Sequence, residues 1–125
     1  MADDTHTTDF EALHEVCLHR VNLLLLGAAP KLDALLAKIR NLAETPVPLC
    51  ALPGPLALPN AHTVVVRDVA ALTSDQQRTL LDWMNARRSR VQIISATTEG
   101  LFAKVTAGLF NEQLYYRLNT VMLHV

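Results

Sequence analysis

Val21-Asn22-Leu23-Leu24-Leu25-Leu26-Gly27 is a short apolar run closed by a glycine. Its apolar side chains fall at consecutive positions, so neither side of an extended chain is left polar. A strand of that kind is buried on both faces, as in a parallel sheet covered by helices. Working outward, Thr63-Val64-Val65-Val66 is a β-branched run and predicts another such strand. Val91-Gln92-Ile93-Ile94-Ser95 predicts a third run of the same kind, and Thr120 to Val125 a last one. Val47 to Leu52 predicts a further strand between the first two. Pro46 and Pro48 place it at a sheet edge, because proline cannot donate to a central ladder.

Helical patterns fill the intervals. Thr8-x-x-Glu11 is a capping-box signature, followed by Phe10, Leu13 and Cys17 on one helical face. Pro30 suits a first helical turn, and Leu32, Leu35, Leu36, Ile39 and Leu42 follow at helical spacing until Thr45-Pro46. Thr73 and Ser74 offer N-caps, with Gln76 and Gln77 three residues on, for a helix burying Leu80, Leu81 and Met84 and half-exposing Trp83. Arg87-Arg88-Ser89-Arg90 closes that helix at its negative dipole end. A helix from Leu101 to Ala107 ends at Gly108, and a short one follows from Glu112 to Arg117. The alternation predicts one three-layer α/β domain over residues 1–125, with a five-strand, mostly parallel sheet and right-handed crossovers.

The composition is 50% hydrophobic and only 18% charged, against about 25% charged in an ordinary globular chain. Such a chain can bury a core, which excludes disorder as its main state. Eleven Lys+Arg against twelve Asp+Glu leave a net charge of -1. No basic excess exists to neutralise phosphates, so direct nucleic-acid binding is not expected. No run of about 18 apolar residues predicts a membrane-spanning helix, and the acidic, polar start Met1 to Phe10 is the reverse of a secretory signal. A cytoplasmic location is expected. Cys17 and Cys50 sit among apolar residues and read as buried thiols without a disulfide framework.

One segment carries a family signature. Residues 94–119 read ISATTEGLFAKVTAGLFNEQLYYRLN. This resembles, without a gap, the pattern IAATNRDLEALVAAGRFREDLYYRLN of the AAA+ domain of bacterial enhancer-binding proteins, the ATPases that activate sigma-54 RNA polymerase. Thr63 to Val69 resembles that family's TLFLDEI, Leu72 to Leu81 its "LP…Q.KLL" helix, and Leu23 to Gly27 its strand into the phosphate loop. The resemblance implies a P-loop core with strand order 5-1-4-3-2.

It also shows what this chain replaces. A phosphate loop, Gly-x-x-x-x-Gly-Lys-Ser/Thr, wraps phosphates in backbone N–H groups, neutralises them with Lys and binds Mg²⁺ through its hydroxyl. Gly27-Ala28-Ala29-Pro30-Lys31-Leu32 stands there instead. The loop is shortened, its second glycine is gone and Pro30 has no N–H. Lys31 reads either as a remnant of the phosphate lysine or as a surface lysine near a helix start. The family's Asp-Glu pair, for the metal and the attacking water, corresponds to Arg67 and Asp68. Arginine repels a metal ion, so Asp68 reads as a partner of Arg67 or a cap. The sensor Thr-Asn corresponds to Thr97-Thr98. Of two arginines that reach a neighbouring subunit's nucleotide, the first corresponds to Asn111 and the second to Arg117. Arg117 reads either as such a finger or as a structural group paired with, for instance, Glu112.

The family's GAFTGA loop, which touches sigma-54, lies between the second and third strands. Here Pro53 to His62 fills that place, so direct sigma-54 contact is not expected. The family's PPLRER segment and helical lid follow the fifth strand, and the sequence stops at Val125, so a lidless core is expected. His14-x-x-Cys17-x-His19 splays around a helix and no metal site is expected. Ser95 with Asp68 or His62 lacks a nucleophile elbow. These readings imply a non-catalytic interaction module in bacterial transcriptional or signalling regulation, with no resident cofactor. A nucleotide sensor that does not hydrolyse is the alternative, resting on Gly27, Lys31, Asp68 and Thr97 as vestigial binding residues, with a weak ATPase as the third reading. Association with itself or with an intact activator is expected through Tyr115, Tyr116 and Arg117, residue types common at interface centres.

Overall fold

The computed structural model describes residues 21–43, 46–58, 61–87 and 91–125. The helix expected around Thr8 to Cys17, the His14, Cys17 and His19 set, and Arg88 to Arg90 lie outside the described residues. Strands β1 (Leu23–Leu26), β2 (Leu49–Ala51), β3 (Thr63–Arg67), β4 (Gln92–Thr97) and β5 (Val121–His124) form one sheet. Its order is β2-β3-β4-β1-β5, with every neighbouring pair parallel. This is the order the resemblance implied. The α-helices among the described residues are α1 (Ala29–Leu42), α2 (Ser74–Arg87), α3 (Leu101–Thr106) and α4 (Glu112–Leu118), with a 3-10 turn at Val69–Ala71.

The apolar run at β1 does what its pattern requires. Leu23 and Leu25 point to one face, where they meet Leu32, Leu36 and Ile39 of α1 together with Val65, Ile94 and Ala96. Leu24 points to the other, into a cluster with Val64, Val66 and Ile93, Leu80 and Met84 of α2, and Leu114 and Leu118 of α4. Leu23, Leu24 and Leu25 are at most 1% exposed, and each side chain removed from water in this way contributes about 1.5–3 kcal/mol. The chain moves from β1 to β2 on the α1 face and from β3 through β4 to β5 on the other. Opposite travel on opposite faces is what a single crossover hand demands.

Asn22, the polar residue at the head of that run, ties three elements together. Its Nδ2 donates to the Arg117 carbonyl at 2.7 Å, and its Oδ1 accepts the Ile93 N–H at 2.8 Å. Its own carbonyl accepts from the Val121 N–H at 3.1 Å. Of the two candidate caps of α2, Thr73 is the one used. Thr73 Oγ1 accepts the Gln76 N–H at 3.2 Å, while Gln76 Oε1 accepts the Thr73 N–H at 3.0 Å. Gly108 lies at φ 76°, just past α3, as expected of a residue that ends a helix in the left-handed region.

Boundaries differ in three places. β4 continues to Thr97 rather than stopping at Ser95, because Ala96 and Thr97 still pair with Leu25 and Leu26 of β1. β2 is shorter than Val47 to Leu52, beginning after Pro48, although the Pro48 carbonyl still accepts the Val65 N–H. The 3-10 turn after β3 carried no periodic signal. It follows Asp68, which sits in the left-handed region at φ 58°.

Candidate functional site

Open α/β sheets bind ligands beyond the carboxyl ends of their strands, where neighbouring strands send their connections to opposite faces. Here β1 and β4 are those neighbours: the chain leaves β1 for α1 and β4 for α3. Gly27 follows β1, and its N–H donates to the Thr97 carbonyl at 3.2 Å. A Cβ on Gly27 would stand 2.7 Å from the Val125 carbonyl oxygen, so any larger residue displaces the backbone beside it. Thr97 is buried, and its hydroxyl donates to the Glu99 carbonyl at 2.7 Å and accepts the Glu99 N–H at 3.2 Å. Of the expected nucleotide residues, Gly27, Thr97 and Asp68 therefore do gather at one end of the sheet. Lys31 is exposed on the first turn of α1.

The dominant group at this end is Arg67, the last residue of β3. Strand alternation sends Val64 and Val66 to the α2 face, and so turns Arg67 with Val65 toward α1. Its Nε donates to Asp33 Oδ1 at 2.6 Å and its Nη2 to Asp33 Oδ2 at 3.1 Å. This is a two-pronged pair, the geometry in which a guanidinium binds a carboxylate most specifically. Asp68 Oδ2 lies 3.5 Å from Nη1 of the same guanidinium, in keeping with its reading as a partner, and its side chain caps nothing. The hydrogen bond from Arg67 holds the Asp33 carboxyl below the ordinary carboxylate range, outweighing desolvation, which opposes it, with the guanidinium charge adding in the same direction.

Sequence reading did not single out Asp33. It lies 34 positions from Arg67, and no local spacing links them. Only the placement of α1 on the face to which Arg67 points brings the two together.

These residues do not fit a magnesium nucleotide. A phosphate loop needs successive free N–H groups, a hydroxyl for the metal and a strand aspartate. The Gly27 N–H is engaged by Thr97, Pro30 has none, and Leu32, which follows Lys31 where the hydroxyl residue would stand, is buried in the core. Arg67 brings positive charge to the place of an anionic metal ligand. Among the described residues, no three His, Cys, Asp or Glu side chains are grouped to hold a metal ion.

The remaining candidates are placed apart. Ser95 Oγ is buried with no hydrogen-bond partner among the described residues. Asp68 follows the carboxyl end of β3 and His62 precedes its amino end, so the two stand a strand length apart, and no hydrolytic set forms. Cys50 is buried, which pushes its thiol pKa up, and its Sγ donates to the Ala57 carbonyl at 3.0 Å.

Arg117 Nη1 donates to Asn85 Oδ1 on α2, so its partner is Asn85 and not Glu112. Asn111 caps α4 by accepting the Leu114 N–H at 2.9 Å. Tyr115, expected at an interface, is only 8% exposed and belongs to the core. Its hydroxyl accepts from Asn119 Nδ2 at 3.2 Å, and its ring lies against Phe102 and edge-on to Tyr116, with centroids 6.0 and 5.2 Å apart. The spacing of α4 turns Leu114, Tyr115 and Leu118 inward together, which leaves Tyr116 at 58% exposure as the outward aromatic.

A parallel sheet in this order, flanked by helices on both faces, is the P-loop NTPase core of AAA+ proteins. Solved structures share it. NtrX from Brucella abortus in complex with ATP superposes with a TM-score of 0.81 at 19% identity, over 96% of this chain and 35% of that one. The same protein in complex with ADP gives a TM-score of 0.75 at 19% identity, over 92% of this chain and 34% of that one. The chain thus spans about a third of the length of these solved relatives. No curated protein matches the sequence. The family model described as "Sigma-54 interaction domain" matches residues 55–125, and the chain belongs to that family. Among the described residues, no helix is long and apolar enough to cross a membrane.

The pair at Asp33 has a pH consequence. A carboxyl whose pKa is lowered by folding contributes stability above its ordinary pKa and loses it as pH falls through the lowered folded value. Asp33→Asn should therefore lower the melting temperature slightly at pH 7, and the gap to the unchanged protein should close in acid below that value. Melting curves of both proteins across the acid range check this, and a gap that persists at the lowest pH contradicts it.

Proposed function

We propose that this domain is a non-catalytic regulatory module, built on the sigma-54 activator core and acting through protein contacts in bacterial transcriptional or signalling regulation. The observation that carries the reading is Arg67, a fixed cation paired with Asp33 where the family's fold holds a metal-binding aspartate. Phosphoryl transfer in this fold works by positioning and by neutralising charge around Mg²⁺. Arg67 stands at the metal position, Pro30 has no N–H and the Gly27 N–H is bonded to Thr97, so the strand ends lack the metal ligand and two of the loop donors that these tasks use.

Protein contact is supported by the surface of α3 and α4. Phe102, Leu109 and Tyr116 are 54%, 66% and 58% exposed. Apolar and aromatic groups of this kind mark interaction sites when they gather on a monomer surface. Tyr116 and Arg117 carry the expected contact, and Tyr115 supports Tyr116 from beneath.

Phosphate release with Mg²⁺ and ATP, followed over a range of protein concentrations, tests the first half. The expected result is no turnover. A rate on the order of 1 per second, an ordinary enzyme value, abolished by Arg117→Ala, contradicts it. Light scattering at several concentrations tests the second half, alone and with an intact sigma-54 activator. Association is expected, and Tyr116→Ala should weaken it with the melting temperature unchanged. A strict monomer at high micromolar concentration that also ignores the activator contradicts it.

A further inference from the structure

We propose that the Arg67 guanidinium serves this domain as a resident cation, joining the first turns of α1 to the end of β3 so that the strand ends keep one arrangement without nucleotide or divalent ion. The inference rests on the reading above, that the strand ends do not take up a magnesium nucleotide, and gives the replacement a task.

In a P-loop enzyme, a hydroxyl at the start of the first helix and an aspartate at the end of the third strand meet on one metal ion. That metal-mediated contact between helix and strand is present only while the ion is bound. In this chain the same two elements are joined directly. Asp33 lies in the second turn of α1 and Arg67 ends β3, and two hydrogen bonds of 2.6 and 3.1 Å connect them. A single-pronged contact would leave the guanidinium free to swing, whereas two parallel bonds fix its plane. Asp68 adds a second carboxylate at 3.5 Å, carried there by the left-handed backbone at φ 58°. The guanidinium is thus flanked by carboxylates from two elements, as a bound cation would be.

Two further contacts hold the neighbouring strand ends. The Gly27 N–H joins β1 to β4 through the Thr97 carbonyl, and the Val125 N–H donates to the Leu26 carbonyl at 2.8 Å beside it. The Leu52 N–H, just past β2, likewise donates to the Arg67 carbonyl at 3.1 Å, so all five strand ends are tied by groups of the chain itself. Arg67 is the charged member of that set, and it takes no part in the apolar core. Its removal should loosen α1 locally and leave the fold intact.

Amide hydrogen exchange read by NMR or mass spectrometry tests this, using the whole chain and the variants Asp33→Asn, Arg67→Met, the double variant, and the charge swap Asp33→Arg/Arg67→Asp. Each single variant should speed exchange at residues 32–36 about two- to fivefold, the range that follows from loss of a partly exposed ion pair. Residues 77–84 of α2 should not change, which shows that the fold persists. The double variant should be no faster than either single one, and the swap should return the rate toward that of the unchanged protein. Additive effects in the double variant, or unchanged exchange in both single variants, overturn the resident-cation proposal. Adding Mg²⁺ and ATP separates the two claims. Slowed exchange at residues 27–36 of the unchanged protein overturns the non-catalytic reading and this proposal together. Exchange indifferent to nucleotide with additive variants overturns this proposal alone.

Discussion

A strand with no polar face must be covered twice, and that constraint at Leu23 to Leu26 organises the molecule. Burying Leu23 and Leu25 requires α1, and burying Leu24 requires α2 and α4. The backbone of β1 must also find partners on both edges, which β4 and β5 supply. Once β1 is central and its crossover lies on one face, the later crossovers must use the other. The placement of Gly27 beside Thr97 is a product of that arrangement, and so is the meeting of Arg67 with Asp33. The chemistry at the strand ends is therefore decided by residues whose positions follow from apolar burial elsewhere.

NtrX, which shares this fold, was solved in complex with ATP, while here several polar groups at the strand ends bond to one another. Gly27 bonds Thr97, Thr97 bonds Glu99, and Arg67 bonds Asp33. Each contact is ordinary alone. Together they support the proposed reading, in which these strand ends are completed by groups of the chain itself. Family membership and the proposed non-catalytic role are compatible, since a fold can persist on its core packing after the residues at its strand ends have changed.

Much of this was legible in the sequence because it depends on local pattern. Consecutive apolar residues gave away β1, β-branched runs β3 and β4, and the Thr73 to Gln76 spacing the start of α2. The strand order followed from the resemblance of residues 94–119. What was not legible depends on long-range placement. Asp33 carries no signal of its role, since its partner is distant in the chain and only the crossover side brings it near. Tyr115 and Tyr116 are adjacent and chemically alike, and one turn of α4 buries the first and exposes the second. Arg117 found an amide on α2 rather than the nearby carboxylate, because α4 lies against α2 on that face of the sheet. The 3-10 turn after β3 depends on one residue, Asp68, adopting a left-handed backbone that side-chain periodicity does not reveal.

The central claim is that the end of this sheet is closed by its own side chains. A crystal structure grown with magnesium and a non-hydrolysable ATP analogue at saturating concentration tests it most directly. The account predicts the two-pronged Arg67–Asp33 pair intact and no triphosphate over residues 27–32. A triphosphate bound there, with Arg67 turned away from Asp33 and a metal ion near Asp68, would contradict it.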